Sequence, residues 1–207
     1  MRSLMLMLSG CISLALSSLC LAEGDLKPVP KEFQYCTVCH GTQMQGNPST
    51  GAPRISGLPS WYIVNQLKSF QHSYRGTDAS DQPGNEMRIA AEGITSDMLD
   101  DAAAFASATQ SPLPAATLTG DATKGKALFA TCMACHGDQA QGNEALFAPP
   151  LTGRNDWYLT RQLNNFLSGK RGAADGDVTG SQMAAAVTVL TDEQAVADVV
   201  AFIQTLN

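Results

Sequence analysis

Apolar residues recur along this chain with the spacing of amphipathic helices, and no stretch alternates in the manner of a half-buried strand. The clearest stripe closes the sequence, where Ala195, Val196, Val199, Val200, Ile203 and Leu206 keep a helical period. Thr191 is a candidate cap for that helix, and Asp192 and Glu193 suit its first turn. Thr95, Leu99, Ala102, Ala103 and Ala106 repeat the pattern more weakly. Two further helices are predicted to begin after Ser60 and Asp156, both candidate caps. They carry Ile63, Leu67 and Phe70, and Leu159, Leu163 and Phe166, each set on one face. A helix over 122–133 points Phe129 at a core, whereas its upstream counterpart is cut short by Pro28 and Pro30. Long irregular loops separate these elements, and the pattern predicts an all-α protein.

The helices come in two sets because the chain is written twice. At a constant offset of 96 residues, the run Cys36 to Gly41 matches Cys132 to Gly137, and Gln45-Gly46-Asn47 matches Gln141-Gly142-Asn143. Ala52-Pro53 with Ala148-Pro149, Trp61-Tyr62 with Trp157-Tyr158, Gln66-Leu67 with Gln162-Leu163 and Arg75-Gly76 with Arg171-Gly172 keep the register. Met87 with Met183 extends it, and one extra residue enters the second copy only in the last helix. A period this long exceeds that of solenoid repeats and equals a small domain, so the pattern predicts a tandem pair. The expected domains are 23–106 and 121–207. Between them, 107–120 is rich in Ser, Thr, Pro and Ala and reads as a semi-extended linker.

Residues 1–22 stand apart from both copies. Arg2, an apolar run from Leu4 to Leu21 and the small Ala22 before an acidic segment form a secretory signal pattern. A retained membrane anchor and lipidation at Cys11, which follows Leu8-Ser9-Gly10, are the competing readings. Cleavage removes Cys11 and Cys20, leaves four cysteines, and places the remainder in an exported, periplasmic setting.

Composition narrows the partners. The chain has 207 residues, 44% of them hydrophobic, which is too apolar for a disordered protein. Thirteen Lys and Arg stand against 19 Asp and Glu, for a net charge of -6. That balance argues against nucleic acid, whose phosphates need clustered cations. It suits partners that dock through apolar or basic surfaces.

The candidate chemistry lies in Cys-x-x-Cys-His, present as Cys36, Cys39, His40 and again as Cys132, Cys135, His136. On a helical turn, cysteines three apart face one side, so both sulfurs can add to the two vinyl groups of a single haem. The adjacent histidine then offers its imidazole to the iron. A zinc ribbon sets its cysteine pairs much closer in sequence than Cys39 and Cys132, and a thioredoxin-like dithiol needs a βαβ context that is missing. A disulfide across each pair would explain neither histidine.

On these motifs each half resembles a class I c-type cytochrome domain, and the tandem layout is similar to the dihaem cytochrome c4 group. The resemblance implies two haem c groups, attached through Cys36, Cys39, Cys132 and Cys135, with His40 and His136 as axial ligands. It also implies a distal methionine on a loop before the last helix of each half. Met44 faces Ala140 in the repeat, Met98 faces Gln194 and Met133 faces Thr37, so Met87 and Met183 alone coincide. Gly84, Asn85, Gly180 and Ser181 beside them are expected to form irregular ligand loops. Core filling is the other role open to a repeated methionine.

The family also implies that the Pro53 and Pro149 carbonyls accept the free N–H of the two histidines. Trp61, Tyr62, Trp157 and Tyr158 are expected beside the porphyrin or in plain core packing. Arg75 and Arg171 are expected either to pair with propionates or to be solvated. His72, which aligns with Ser168, is expected at the surface or near a propionate.

The expected function is a periplasmic one-electron carrier between a respiratory donor and a terminal oxidase or reductase, reaching the membrane through a partner complex. A dihaem enzyme of peroxidase or thiosulfate-oxidising type, and a cytochrome subunit bound permanently to a dehydrogenase or oxidase, are the alternatives.

Overall fold

Two sets of four helices follow one another in the computed structural model, which describes residues 28–207. The expected export segment, 1–22, lies outside the described residues. The first half contains α1 (Gln34–His40), α2 (Ser60–Gln71), α3 (Gln82–Glu92) and α4 (Leu99–Ala108). The second contains α5 (Ala122–His136), α6 (Asp156–Leu167), α7 (Val178–Ala186) and α8 (Glu193–Gln204). Among the described residues the regular structure is helical, with only isolated β-bridges.

Each half has its own apolar cluster. In the first, Ile63, Leu67 and Phe70 of α2 meet Ala91 of α3 and Leu99, Ala103 and Ala106 of α4. In the second, Phe129 and Leu159 meet Val196, Val199, Val200 and Ile203 of α8. These are the stripes read from the sequence, now facing inward. The truncation at Pro28 and Pro30 also holds, since a short 3-10 turn over Lys31–Phe33 replaces the first turns that α5 possesses. Phe33 stacks on Phe105 at 5.5 Å between ring centroids, and Phe129 lies 5.3 Å from Phe202, so in each half an aromatic pair ties the segment leading into the Cys-x-x-Cys-His turn to the last helix.

Helix starts differ from expectation in a consistent way. Asp192, not Thr191, caps α8 and accepts from the Ala195 N–H at 2.8 Å. Ser60 and Asp156 are the first residues of α2 and α6 rather than their caps. The Asp156 carboxylate is used elsewhere: it accepts from the Thr117 N–H, from the Leu118 N–H at 2.7 Å and from the Thr117 hydroxyl at 2.8 Å. Those contacts pin the extended stretch that begins after α4, at Thr109. Ser111, earlier in that stretch, accepts from Arg54 through both its hydroxyl and its carbonyl.

The halves touch directly. Arg54 donates to the Gly153 carbonyl at 3.0 Å, and its own N–H reaches the Asn155 amide oxygen at 2.7 Å. Arg154 returns two bonds, to the carbonyls of Arg54 and Ser56 at 3.0 and 3.1 Å. Phe147 meets Trp61 edge-on at 6.4 Å. Burial, with Arg54 as a neighbouring charge, pulls the Arg154 guanidinium down to about 10. Both cations are held by carbonyl dipoles rather than by carboxylates.

Candidate functional site

The two Cys-x-x-Cys-His turns are the last turns of α1 and α5, ending on His40 and His136. Gly41 and Gly137 then reverse the chain with φ of 83° and 81°. That left-handed backbone strains any residue with a β-carbon, which would also displace the Gln45 or Gln141 amide lying within 2.6 Å of it, so the turn favours glycine. The reversal brings Gly46 and Gly142 N–H groups to the His40 and His136 carbonyls, both at 2.8 Å.

This loop places a carbonyl behind each ring. His40 Nδ1 lies 2.7 Å from the Pro53 oxygen, and His136 Nδ1 lies 2.8 Å from the Pro149 oxygen. A carbonyl can only accept, so Nδ1 carries the proton and Nε2 keeps a lone pair. Burial pulls both imidazoles below their ordinary pKa, against the opposing carbonyl bond, and so favours this neutral form. The rings are 7% and 5% exposed. Two fixed, neutral Nε2 donors therefore stand at the ends of two helices.

The four described cysteines form no disulfide, and Cys135 is exposed. Burial raises the Cys36 and Cys132 thiols above their usual pKa and keeps them protonated. Pairs of unbridged thiols beside a fixed imidazole fit a covalently held haem.

Met87 and Met183 are not on irregular loops. They lie within α3 and α7, and both are half-buried. The glycines that read as loop signals belong to helix caps: Asp81 accepts from the Gly84 N–H at 3.3 Å, and Asp177 from the Gly180 N–H at 2.9 Å. A β-carbon at Gly84 or Gly180 would meet its capping carboxylate at 2.2 or 1.9 Å. Gly76 and Gly172 in turn lie against the Gly84 and Gly180 carbonyls, which a β-carbon on either would meet at 2.3 or 2.4 Å, so a compact helix entry, not a loop, explains the composition. Met44 is fully buried beside the first motif and serves the packing there.

Between the halves sits a feature the sequence left unresolved. Arg75 is buried and Arg171 half-buried, which removes the freely solvated reading, and their backbones pair as an antiparallel bridge. Their guanidiniums lie over the Phe70 and Phe166 rings at 4.4 and 4.5 Å. Gln66 accepts from Arg75 and, at 2.8 Å, from Arg171. Gln162 accepts from both at 2.9 Å. Burial alone would push the Tyr158 phenol up, but Arg75 and Arg171 outweigh it and leave it below its ordinary value.

Neither arginine enters an ion pair among the described residues, where only Arg88 with Glu92 and Lys124 with Asp121 do so. Nearby on α6, Arg161 Nε and Asn165 Nδ2 are buried with no acceptor. Unbalanced cations and idle donors at one junction suit anionic groups, as haem propionates are. Trp61 and Trp157 pack with Phe147 and Arg161, and His72 is exposed beside Tyr74. Gln66 with Gln162 and Arg75 with Arg171 coincide in the repeat, which is the signal of this junction that the sequence carries.

Two all-helical halves, each closing on a Cys-x-x-Cys-His turn with a carbonyl-anchored histidine, define a class I c-type cytochrome. The family model for cytochrome c matches residues 122–207. The chain is 30% identical over 182 residues to a thiosulfate dehydrogenase electron acceptor of Thiomonas intermedia, covering 84% of this chain and 79% of that one. It superposes on cytochrome c4 of Acidithiobacillus ferrooxidans with a TM-score of 0.64 at 26% identity, covering 82% and 98% of the two chains. It also superposes on a thiosulfate dehydrogenase from Marichromatium purpuratum with a TM-score of 0.65 at 27% identity. There it covers 82% of its own length and spans 36%, about a third, of the other chain. The chain belongs to the cytochrome c family and is of the dihaem, cytochrome c4-like kind, with haem c as its cofactor.

Proposed function

We propose that this chain is a periplasmic dihaem electron carrier that takes electrons from a thiosulfate-oxidising dehydrogenase and delivers them to a terminal oxidase or reductase. The observation that carries the reading is the pair of Nδ1-to-proline bonds at 2.7 and 2.8 Å, which fix two neutral Nε2 donors beside two thiol pairs. In this proposal Cys36 and Cys39 hold one haem and Cys132 and Cys135 the other. His40 and His136, with Met87 and Met183, would be the residues that hold the two haem irons. The two halves act as domains, 23–106 and 121–207, joined through 107–120, and an export signal over 1–22 delivers the chain.

A c-type haem supplies a one-electron ferric/ferrous couple, and a thioether ligand favours the ferrous state. The protein's part is to hold ring and thioether in place, exclude water, and set the charge around the site. With a histidine and a methionine holding each iron, electron exchange with partners would be outer-sphere. Arg75 and Arg171 would pair with the propionates of the two haems at the junction. The donor assignment is supported by the relative from Thiomonas intermedia and by the acidic balance of the chain, which suits partners with basic or apolar docking faces.

The test mixes oxidised protein with thiosulfate, with and without a thiosulfate dehydrogenase, and follows haem reduction by stopped-flow absorbance. Reduction that needs the dehydrogenase and slows with ionic strength supports the carrier. Turnover of thiosulfate by this chain alone, with an added electron acceptor, supports the enzyme reading that the likeness to the Marichromatium purpuratum protein raises.

A further inference from the structure

We propose that Gln66 and Gln162 are positioning residues that couple the two haem sites electrostatically, each carboxamide oxygen holding the guanidinium of its own half and that of the other. The inference rests on the reading that Arg75 and Arg171 face the propionates. Its basis is the closed ring of four bonds in which Gln66 and Gln162 each accept from both arginines. A carbonyl oxygen has two lone pairs, so each glutamine is saturated and neither arginine can turn without releasing a bond in the opposite half.

The choice of glutamine matters as much as the geometry. Glutamate has the same shape, and a glutamate at each of the two positions would balance the charge of both guanidiniums. Glutamine fixes the cations and leaves their charge intact. Asp177 acts on Arg171 from farther off without ion-pairing to it. Burial, and then Arg171 itself, pull the Arg75 guanidinium below its ordinary value, whereas at Arg171 the Tyr62 and Tyr158 phenols outweigh burial and raise it, so the repulsion in the ring falls on Arg75. That arrangement is stable when anions complete it. Because each cation is tied to both halves, a charge added at either glutamine is felt at both haems, and the ring acts as one electrostatic unit.

The experiment uses the holoprotein with Gln66→Glu and, separately, Gln162→Glu. A carboxylate between two guanidiniums stays ionised and opposes the positive charge that favours ferrous iron. Each haem's reduction is followed potentiometrically, with the two haems told apart by the NMR signals of their methionine methyl groups. The expected result is a ferrous-to-ferric ratio at fixed potential that falls at least about threefold at both haems in either variant. A fall confined to the haem of the mutated half, or no change, overturns the inference.

Arg75→Gln separates the two levels. If it leaves both haems unmoved, the propionate reading has failed. If it moves them while Gln66→Glu moves one or none, only the coupling has failed. Should both glutamate variants lose haem, Gln66→Leu removes the shared acceptor without adding charge, and the coupling requires that both ratios change.

Discussion

Gly125 of α5 lies so near Asp198 of α8 that a β-carbon on the glycine would stand 1.9 Å from the aspartate's carbonyl oxygen. The same pair of helices is joined where the Asp198 carboxylate accepts from the Asp121 N–H at 2.8 Å, at the start of α5. The contact sets how closely the helix bearing Cys132, Cys135 and His136 rests on the terminal helix. Gly125→Ala is expected to force α5 and α8 apart and to destabilise the second half by about 2 kcal/mol. Urea titration followed by the absorbance of each haem should show the loss in the second half and spare the first.

Cys36→Ala with Cys39→Ala, and Cys132→Ala with Cys135→Ala, are expected to remove one covalent haem each. Haem-to-protein ratio and intact mass read the result directly. Retention of both covalent haems in either double variant would refute the assignment of those cysteines.

Met87→Ala and Met183→Ala are expected to change one haem apiece, lowering its potential and altering its spin state. Electron paramagnetic resonance of the oxidised protein should show half the signal altered in each single variant and all of it in the pair. A core-filling role would instead lower stability and leave both spectra as they were.

Asp156 gives a pH dependence with a defined sign. Burial would raise its pKa, but bonds from Thr117, Leu118 and Trp157 outweigh that and hold it below the usual carboxylate range. A depressed folded value stabilises the protein above the unfolded value of about 3.9 and loses that contribution as pH falls through the folded value. Asp156→Asn is expected to cost about 1–2 kcal/mol at pH 7. The gap between variant and wild type should narrow below about pH 4 in acid-titrated melts.

The haem-binding turns were legible because their chemistry fixes residue type and spacing together, and the repeat supplied a second copy of each. The Pro53 and Pro149 carbonyls were expected only through the family resemblance, and they do lie on the two histidine rings. Helices α3 and α7 were not legible, since Gly84 and Gly180 read locally as breaks while their purpose is close approach at a cap. The state of Arg75 and Arg171 was closed to sequence reasoning on other grounds. An arginine on a polar stretch gives no sign of what covers it, and here the cover is the other half of the chain.

The bridge between Arg75 and Arg171 joins a residue to its own counterpart in the repeat, and the crossed glutamine bonds obey the same rule. A surface that pairs with itself is what a twofold dimer of identical subunits would display. Such a contact needs no linker to be complete, and a lone ancestral half could have made it with a second copy before gene duplication tied the two together. Fusion would then have released the copies to diverge, as at the site where Gly51 in one is Phe147 in the other.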